Sequence, residues 1–290
     1  MIKQLYLLIK SLKYKPLNRY PLGHFYSPIL SKKDFIDIED QIWKEEESKT
    51  LPGINLNPEK QVALLKDFEK YYNDIPFKDE ASSEKRYHFN NTSYSYTDAI
   101  ILYSFIRHFN PKKVIEIGSG YSSALMLDTK DIFKMETNYT FIEPYPKLLN
   151  SLLKEEDKSS SKVLSTKVQK VPVEVFSELE ENDILFIDSS HISKAGSDVN
   201  YELFRILPNL KPGVIIHFHD VFYPFEYPKS WIERGRNWNE DYLLRAFLSF
   251  NNEFEILFFS DYMHKHFKDA FINMPLAYKN TGGNIWLRRK

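Results

Sequence analysis

From about residue 86 onward, short runs of β-branched and aromatic residues alternate with stretches of helical periodicity. The runs cover residues 114–117, 139–142, 163–168, 183–187, 214–218, 254–259 and 284–287. The spacing of apolar residues predicts helices at 97–109, 198–207 and 242–250. Runs that are apolar at consecutive positions suit strands buried on both faces, as in a parallel sheet. Strands joined through helices predict right-handed crossovers and a doubly wound α/β sheet.

The last two runs differ from the others in how they are joined. Residues 261–283 between them show no clear helical pattern. A parallel pair needs a long crossover, usually a helix, whereas an antiparallel pair does not. We therefore expect the last two strands to form an antiparallel pair at one edge of the sheet.

Residues 1–85 have a different character and hold six of the 15 prolines. Residues 58–72 have helical periodicity, and residues 1–10 read as a short amphipathic helix interrupted afterwards by lysines. We interpret 1–85 as an N-terminal arm with short helices and 86–290 as the main domain. Such an arm would cover a ligand site or form a homodimer contact.

Composition excludes several classes of function. The formal net charge is −1, which argues against a general electrostatic grip on nucleic acid. The chain has no cysteine, so disulfides, thiolate metal sites and cysteine nucleophiles are excluded. No run of about 20 apolar residues exists, so no transmembrane segment is predicted. We expect a cytoplasmic protein.

The strongest local motif is the segment 116–123, which reads Glu-Ile-Gly-Ser-Gly-Tyr-Ser-Ser and follows a strand. Its glycines let the backbone pass close to a ligand, and the helix that follows offers free N–H donors. A dinucleotide fingerprint would have glycine where Ser123 stands. The carboxylate of Glu116 would repel a pyrophosphate but suits a cationic ligand.

This motif resembles motif I of the class I S-adenosylmethionine-dependent methyltransferases, in which the loop wraps the positively charged methyl donor. The resemblance covers residues 86–290 and extends to the methyltransferase-24 type and to cation-dependent sugar O-methyltransferases. It implies a seven-stranded Rossmann-like sheet, mostly parallel, with an antiparallel C-terminal edge strand. The cofactor-binding residues implied are Glu116, Gly118, Ser119, Gly120, Ser122, Ser123, Glu143 and Asp188.

Further acidic residues end the predicted strands. Glu143 follows the second strand, where a carboxylate can accept two hydrogen bonds from a ribose diol. Asp188 follows the fourth strand, and Asp220 follows the fifth after a Leu-Lys-Pro-Gly sequence typical of the family. Ligands of open α/β sheets bind at the carboxyl ends of strands. We therefore expect Glu116, Glu143, Asp188 and Asp220 on one edge.

Asp188, His219 and Asp220 are the predicted metal ligands, for Mg²⁺ or another divalent cation. In the cation-dependent relatives that the chain resembles, aspartates at these strand ends hold the metal. His191 is the predicted general base beside Asp188 because an imidazole near neutrality can remove a hydroxyl proton. Because side chains alternate in direction along a strand, His217 should point away from the site, and we expect it to pack in the protein interior.

The predicted function is metal-assisted O-methylation of a small polar acceptor such as a saccharide. Residues 222–228 and 231–240 are rich in aromatic and polar side chains and are candidates for an acceptor wall. Two alternatives remain: an NAD-dependent Rossmann oxidoreductase, and a non-catalytic binding protein with the methyltransferase fold. No nucleic-acid partner is expected.

Overall fold

The computed structural model describes Tyr6, Leu17 and residues 9–14, 19–43 and 48–290. Most of the helix predicted at residues 1–10 therefore lies outside the described residues. The chain divides into two units. The described residues of 1–47, with Lys229–Asn237, form the small unit, which contains the helices Lys32–Trp43 and Lys229–Glu233. Residues Ser48–Pro228 and Trp238–Lys290 form the main unit.

The main unit is built on a seven-stranded sheet. Its strands are β1 (Lys113–Ile117), β2 (Asn138–Ile142), β3 (Ser161–Leu164), β4 (Ile184–Ile187), β5 (Ile215–His219), β6 (Phe254–Phe259) and β7 (Asn284–Arg289). The order across the sheet is β3-β2-β1-β4-β5-β7-β6, and β1 to β5 run parallel. Strands β4 and β5 are buried at every position, so both faces are covered. The predicted fold class is confirmed.

Strand β7 runs antiparallel to both of its neighbours, β5 and β6. The predicted antiparallel pair therefore exists. Within the sheet, β7 lies between β5 and β6, and β6 forms the edge. The prediction of no helix between the pair is wrong. A seven-residue helix, Ser260–His266, follows β6 directly, and two 3₁₀ turns follow it. Seven residues are too few for helical periodicity to stand out from the adjoining aromatic strand.

Two α-helices of the main unit precede β1, and six lie between strands. In chain order they are α1 (Pro58–Tyr72), α2 (Tyr96–Phe109), α3 (Tyr121–Phe133), α4 (Lys147–Leu152), α5 (Glu155–Ser160), α6 (Asp198–Tyr201), α7 (Glu240–Leu248) and α8 (Ser260–His266). Helix α2 is buried from Tyr96 to Ile106, and its buried positions include the polar residues Thr97, Asp98 and Ser104. A short π-helix, Glu202–Ile206, follows α6 within the segment predicted as one helix. None of the helices formed by the described residues has the length and apolar character needed to span a bilayer.

A buried ion cluster ties the segment before α2 to two helices. The guanidinium of Arg86 donates to Asp128 in α3 at 2.7 Å, to Asp157 in α5 at 2.6 Å and to Asp131 at 2.8 Å. The side chains of Arg86, Asp128 and Asp157 are at most 3% exposed. Burial disfavours the charge on Arg86, but the hydrogen bonds to these three carboxylates outweigh burial and raise the pKa of Arg86. The cluster therefore holds one permanent cation among three carboxylates.

We expect Arg86→Met to lower the free energy of unfolding by about 3–5 kcal/mol, because it leaves two buried carboxylates without their cation. Urea unfolding at pH 7 measures the change. Lys113→Met is the matched control, since Lys113 and Glu178 are both solvent-exposed and 3.6 Å apart. Exposed pairs contribute little. Equal stability of wild type and Arg86→Met would show that the cluster has no such role.

Candidate active site

The glycine-rich loop joins three strand ends. The amide of Gly118 donates to the carbonyl of Ile142 at 3.0 Å, and the amide of Asp188 donates to that of Ile117 at 2.8 Å. Gly118 has φ +78°, and a Cβ there would overlap the carbonyl oxygen of Asp188. Only glycine fits this position without displacing the backbone. The loop motif therefore brings β1 against the end of β4.

Glu116 lies beneath this loop and is fully buried. Its carboxylate accepts hydrogen bonds from the hydroxyls of Ser122, at 2.6 Å, and Ser123. The Ser123 hydroxyl also accepts from the amide of Gly120 at 3.0 Å. Burial raises the pKa of Glu116 to about 8, although the serine hydroxyls oppose the shift. At neutral pH Glu116 is therefore mostly uncharged, contrary to the negative charge expected from the sequence. Its hydrogen bonds to the two serines tie the loop to α3.

A cavity of about 520 Å³ opens at the carboxyl ends of β1, β2 and β4. Gly118, Glu143 and Asp188 line it, together with residues of the segments 167–169 and 194–198. The other predicted donor-binding residues are not among its lining residues: Glu116, Ser119, Gly120, Ser122 and Ser123. The volume lies within the range of small-molecule sites. The sheet edge predicted to bind a ligand therefore carries a cavity of suitable size.

Glu143 is one of the carboxylates that line this cavity. One oxygen accepts from the amide of Ser119 at 3.2 Å, and the other accepts from the amide of Tyr145 at 2.7 Å. These bonds fix the carboxylate beside the glycine-rich loop. Each oxygen keeps a further lone pair because a carboxylate accepts about four hydrogen bonds.

Asp188, His191 and Asp220 form a compact cluster next to the cavity. Three of their ligand atoms lie within 4.8 Å of one another. The Nε2 atom of His191 is 3.4 Å from Asp188 Oδ1 and 3.7 Å from Asp220 Oδ2. His191 and Asp220 both have left-handed backbone conformations, with φ 57° and 55°. Such strained residues concentrate at functional sites.

His219 contacts the same aspartates but is not part of that 4.8 Å group. Its Nδ1 atom is 3.4 Å from Asp188 Oδ1 and 3.7 Å from Asp220 Oδ1. Its Nε2 atom is 3.9 Å from Asp98, a carboxylate of α2 that sequence reasoning did not single out. The structure therefore brings together Asp188, His191, His219 and Asp220 from the ends of β4 and β5.

Electrostatics in the cluster follow from this crowding. Burial disfavours the charge on Asp188, but the two histidines outweigh it and lower the pKa of Asp188. Burial also opposes the charge on His191, yet hydrogen bonds to Asp188 and Glu240 raise the pKa of His191 to about 10. Burial raises the pKa of Asp220. Without an added cation, His191 thus carries a positive charge at neutral pH.

His217 and most of the aromatic segment 222–228 are buried. His217 is packed, as predicted, with ring centroids 4.0 Å from Phe186 and 4.4 Å from Trp286. The aromatic segment 222–228 is mostly core: Phe222, Tyr223, Phe225 and Tyr227 are buried. The prediction of an acceptor wall is therefore wrong for these four residues, because sequence alone does not separate aromatic residues of a surface from those of a core.

Sequence reasoning missed the role of Glu240. It placed this residue in the acceptor wall, but Glu240 is fully buried and its Oε2 lies 2.8 Å from Nδ1 of His191. No sequence signal identifies this contact, since 49 residues separate the two.

Comparison with known proteins gives the family. Residues 115–221 match the Methyltransf_24 family, described as a methyltransferase domain, and this stretch runs from β1 to just past Asp220. An uncharacterized protein of Archaeoglobus fulgidus is 33% identical over 170 residues, which make up 57% of this chain and 76% of that protein. The chain belongs to the class I S-adenosylmethionine-dependent methyltransferases, and within them to the Methyltransf_24 type.

Solved structures with similarity to the chain have lower identity. The O-methyltransferase TomG of Streptomyces achromogenes, solved with S-adenosylmethionine, is 12% identical, with a TM-score of 0.44, over 90% of this chain and 100% of its own. The methyltransferase PaMTH1 of Podospora anserina, solved with S-adenosylhomocysteine, is 15% identical, with a TM-score of 0.43, over 90% and 97% of the two chains.

Proposed function

We propose that this chain transfers the methyl group of S-adenosylmethionine to a hydroxyl oxygen of a small polar acceptor such as a saccharide, with a divalent cation bound beside the donor. The observation that carries the proposal is the position of the Asp188–His191–His219–Asp220 cluster, next to a cavity that contains Glu143. A donor pocket and a cluster able to activate a hydroxyl thus share one sheet edge.

The donor would occupy the cavity at the glycine-rich loop. Glu143 would accept hydrogen bonds from the ribose diol with the lone pairs left free by Ser119 and Tyr145. The backbone of Gly118, which lines this cavity, would lie along the donor, whereas Ser119 and Gly120 do not line it. Glu116, Ser122 and Ser123 would act one layer further in, by holding the loop in shape.

Asp188, His219 and Asp220 would hold the cation. The Nδ1 atom of His219 lies 3.4 and 3.7 Å from the two aspartates, within the roughly 4.2 Å that can separate two ligands of one ion. His191 makes contacts of the same length, and it is the histidine whose nitrogen lies within 4.8 Å of both aspartates as one group. Two carboxylates and one imidazole suit Mg²⁺ or Mn²⁺. When bound, such a cation lowers the pKa of a hydroxyl.

His191 would accept the hydroxyl proton. Its Nε2 atom faces the aspartates, and its other nitrogen is held by Glu240, as a general base needs. With a cation held by the aspartates, His191 would no longer be their positively charged partner, and its Nε2 atom would be free to take up the proton. The oxygen then attacks the methyl group, the carbon–sulfur bond breaks, and the products are a methyl ether and S-adenosylhomocysteine.

Calorimetric titration with S-adenosylhomocysteine and with NAD tests the donor assignment. We expect S-adenosylhomocysteine to bind with a dissociation constant in the micromolar range and NAD to give no binding heat, because Ser123 replaces the glycine that the dinucleotide loop needs. Binding of NAD alone would reverse the assignment to an oxidoreductase.

Radiolabelled methyl transfer to a panel of sugars and phenols, with Mg²⁺ or with EDTA, tests the remainder. We expect transfer to the sugars in Mg²⁺ and loss of that transfer in EDTA. Donor binding without transfer to any hydroxyl in the panel would contradict the proposed reaction and favour a non-catalytic binding protein. Transfer that persists in EDTA would contradict the cation.

A further inference from the structure

We propose that Glu240 is a positioning residue that sets the orientation of the His191 ring and so directs Nε2 into the site. The inference rests on the proposed function in one respect: His191 is taken to be the proton acceptor. The Nδ1 atom of His191 lies 2.8 Å from Oε2 of Glu240. Since a carboxylate accepts hydrogen bonds, Nδ1 carries the hydrogen and Nε2 points away from Glu240.

The direction of Nε2 is what this contact determines. Nε2 lies 3.4 Å from Asp188 and 3.7 Å from Asp220. A ring turned over by 180° would present carbon atoms to these positions. The hydrogen bond to Glu240 therefore selects the one ring orientation in which a nitrogen faces the reacting groups.

The residues before Glu240 hold the same histidine by other means. The indole of Trp238 packs against the imidazole with ring centroids 4.3 Å apart. The amide of Asn239 donates to the carbonyl of His191 at 3.1 Å, and the Asn239 side chain accepts from the amide of Ser193 at 2.6 Å. The start of α7 thus contacts both the ring and the backbone of His191, which adopts a left-handed conformation.

Stability alone does not account for a glutamate at this position. Glu240 is fully buried, and its Oε1 atom has no hydrogen-bond partner among the residues that the structure describes. Burying a carboxylate is unfavourable unless it is paired, and a well-packed apolar residue in its place is often at least as stable. The contact with His191 is the interaction that explains the charge here.

Two substitutions separate orientation from charge. Glu240→Gln keeps an acceptor oxygen at the same reach and removes the charge, whereas Glu240→Asp keeps the charge and withdraws the oxygen by one methylene. Positioning predicts that kcat falls by less than about tenfold in Glu240→Gln and by roughly a hundredfold in Glu240→Asp. The KM for S-adenosylmethionine should change in neither variant. A purely electrostatic role predicts the opposite ranking, and that ranking would overturn the proposal.

A second measurement does not depend on activity. The Nδ1 hydrogen of a buried, hydrogen-bonded histidine gives a slowly exchanging proton resonance at low field. We expect this signal, identified by its loss in His191→Gln, in wild type and in Glu240→Gln but not in Glu240→Asp. Its persistence in Glu240→Asp would overturn the inferred contact. If wild type shows the signal but transfers no methyl group, the proposed function fails while the orientation of the ring stands.

Asp241→Asn is the matched control for both measurements. Asp241 is also buried and lies next to Glu240, but its carboxylate accepts from the amide of Phe222 at 3.3 Å and does not bond to His191. We expect its kcat within about threefold of wild type and the low-field signal unchanged. Equal losses in Asp241→Asn and Glu240→Asp would show a general disturbance of α7 and contradict a specific role for Glu240.

Discussion

Asp188→Asn is expected to reduce kcat/KM by roughly a thousandfold or more, because a cation that stabilises developing charge contributes several kcal/mol. The oxygen Oδ1 of Asp188 lies 3.4 Å from nitrogens of both His191 and His219, so this carboxylate joins the predicted base to the predicted ligands. Asparagine keeps the size of the side chain but removes its charge. Mn²⁺ binding, measured by electron paramagnetic resonance, should weaken in parallel.

Asp198→Asn provides the comparison. Asp198 also lines the cavity, but its carboxylate bonds to the amide and hydroxyl of Ser190, at 3.1 and 2.6 Å, rather than to either histidine. We expect less than a tenfold loss of activity and unchanged Mn²⁺ binding. If Asp188→Asn retained wild-type turnover, neither the cation nor the role of this strand end could be sustained.

The parts of the site that follow from strand periodicity were predictable. Glu143 and Asp188 stand directly after buried strands, Asp220 follows the strand that ends at His219, and parallel strands put their carboxyl ends on one edge. Their proximity is therefore a consequence of the same pattern that predicts the sheet. The glycine-rich loop is also predictable from sequence, because the backbone conformation and close contacts of Gly118 leave no room for a side chain.

The residues that were misjudged depend on packing between distant segments. Glu240 reaches His191 from α7, and the burial of Tyr223 and Phe225 depends on β6, whose Phe259 packs against both rings. Neither contact produces a periodic pattern in the sequence from which it could be predicted. Glu116 was given a charged role because its sequence position does not reveal the two serine hydroxyls that enclose it.

Gly118→Ala is expected to weaken binding of S-adenosylhomocysteine by at least about a hundredfold and to lower the melting temperature by several degrees. Two effects combine. A left-handed conformation at a non-glycine residue costs about 1–2 kcal/mol, and the added methyl group would overlap the carbonyl oxygen of Asp188. Because that oxygen belongs to the backbone, the ends of β1 and β4 must separate, and the cavity wall changes with them.

Gly196→Ala separates the two effects. Gly196 has a similar φ of +70° and lines the same cavity, but a Cβ there would meet no atom within 4 Å. We expect it to lower stability by about 1 kcal/mol through backbone strain alone and to leave binding within about threefold of wild type. Calorimetric titration and thermal unfolding of both variants measure the difference. If Gly118→Ala behaved like Gly196→Ala, close contact between the loop and the end of β4 would not be what shapes the donor cavity.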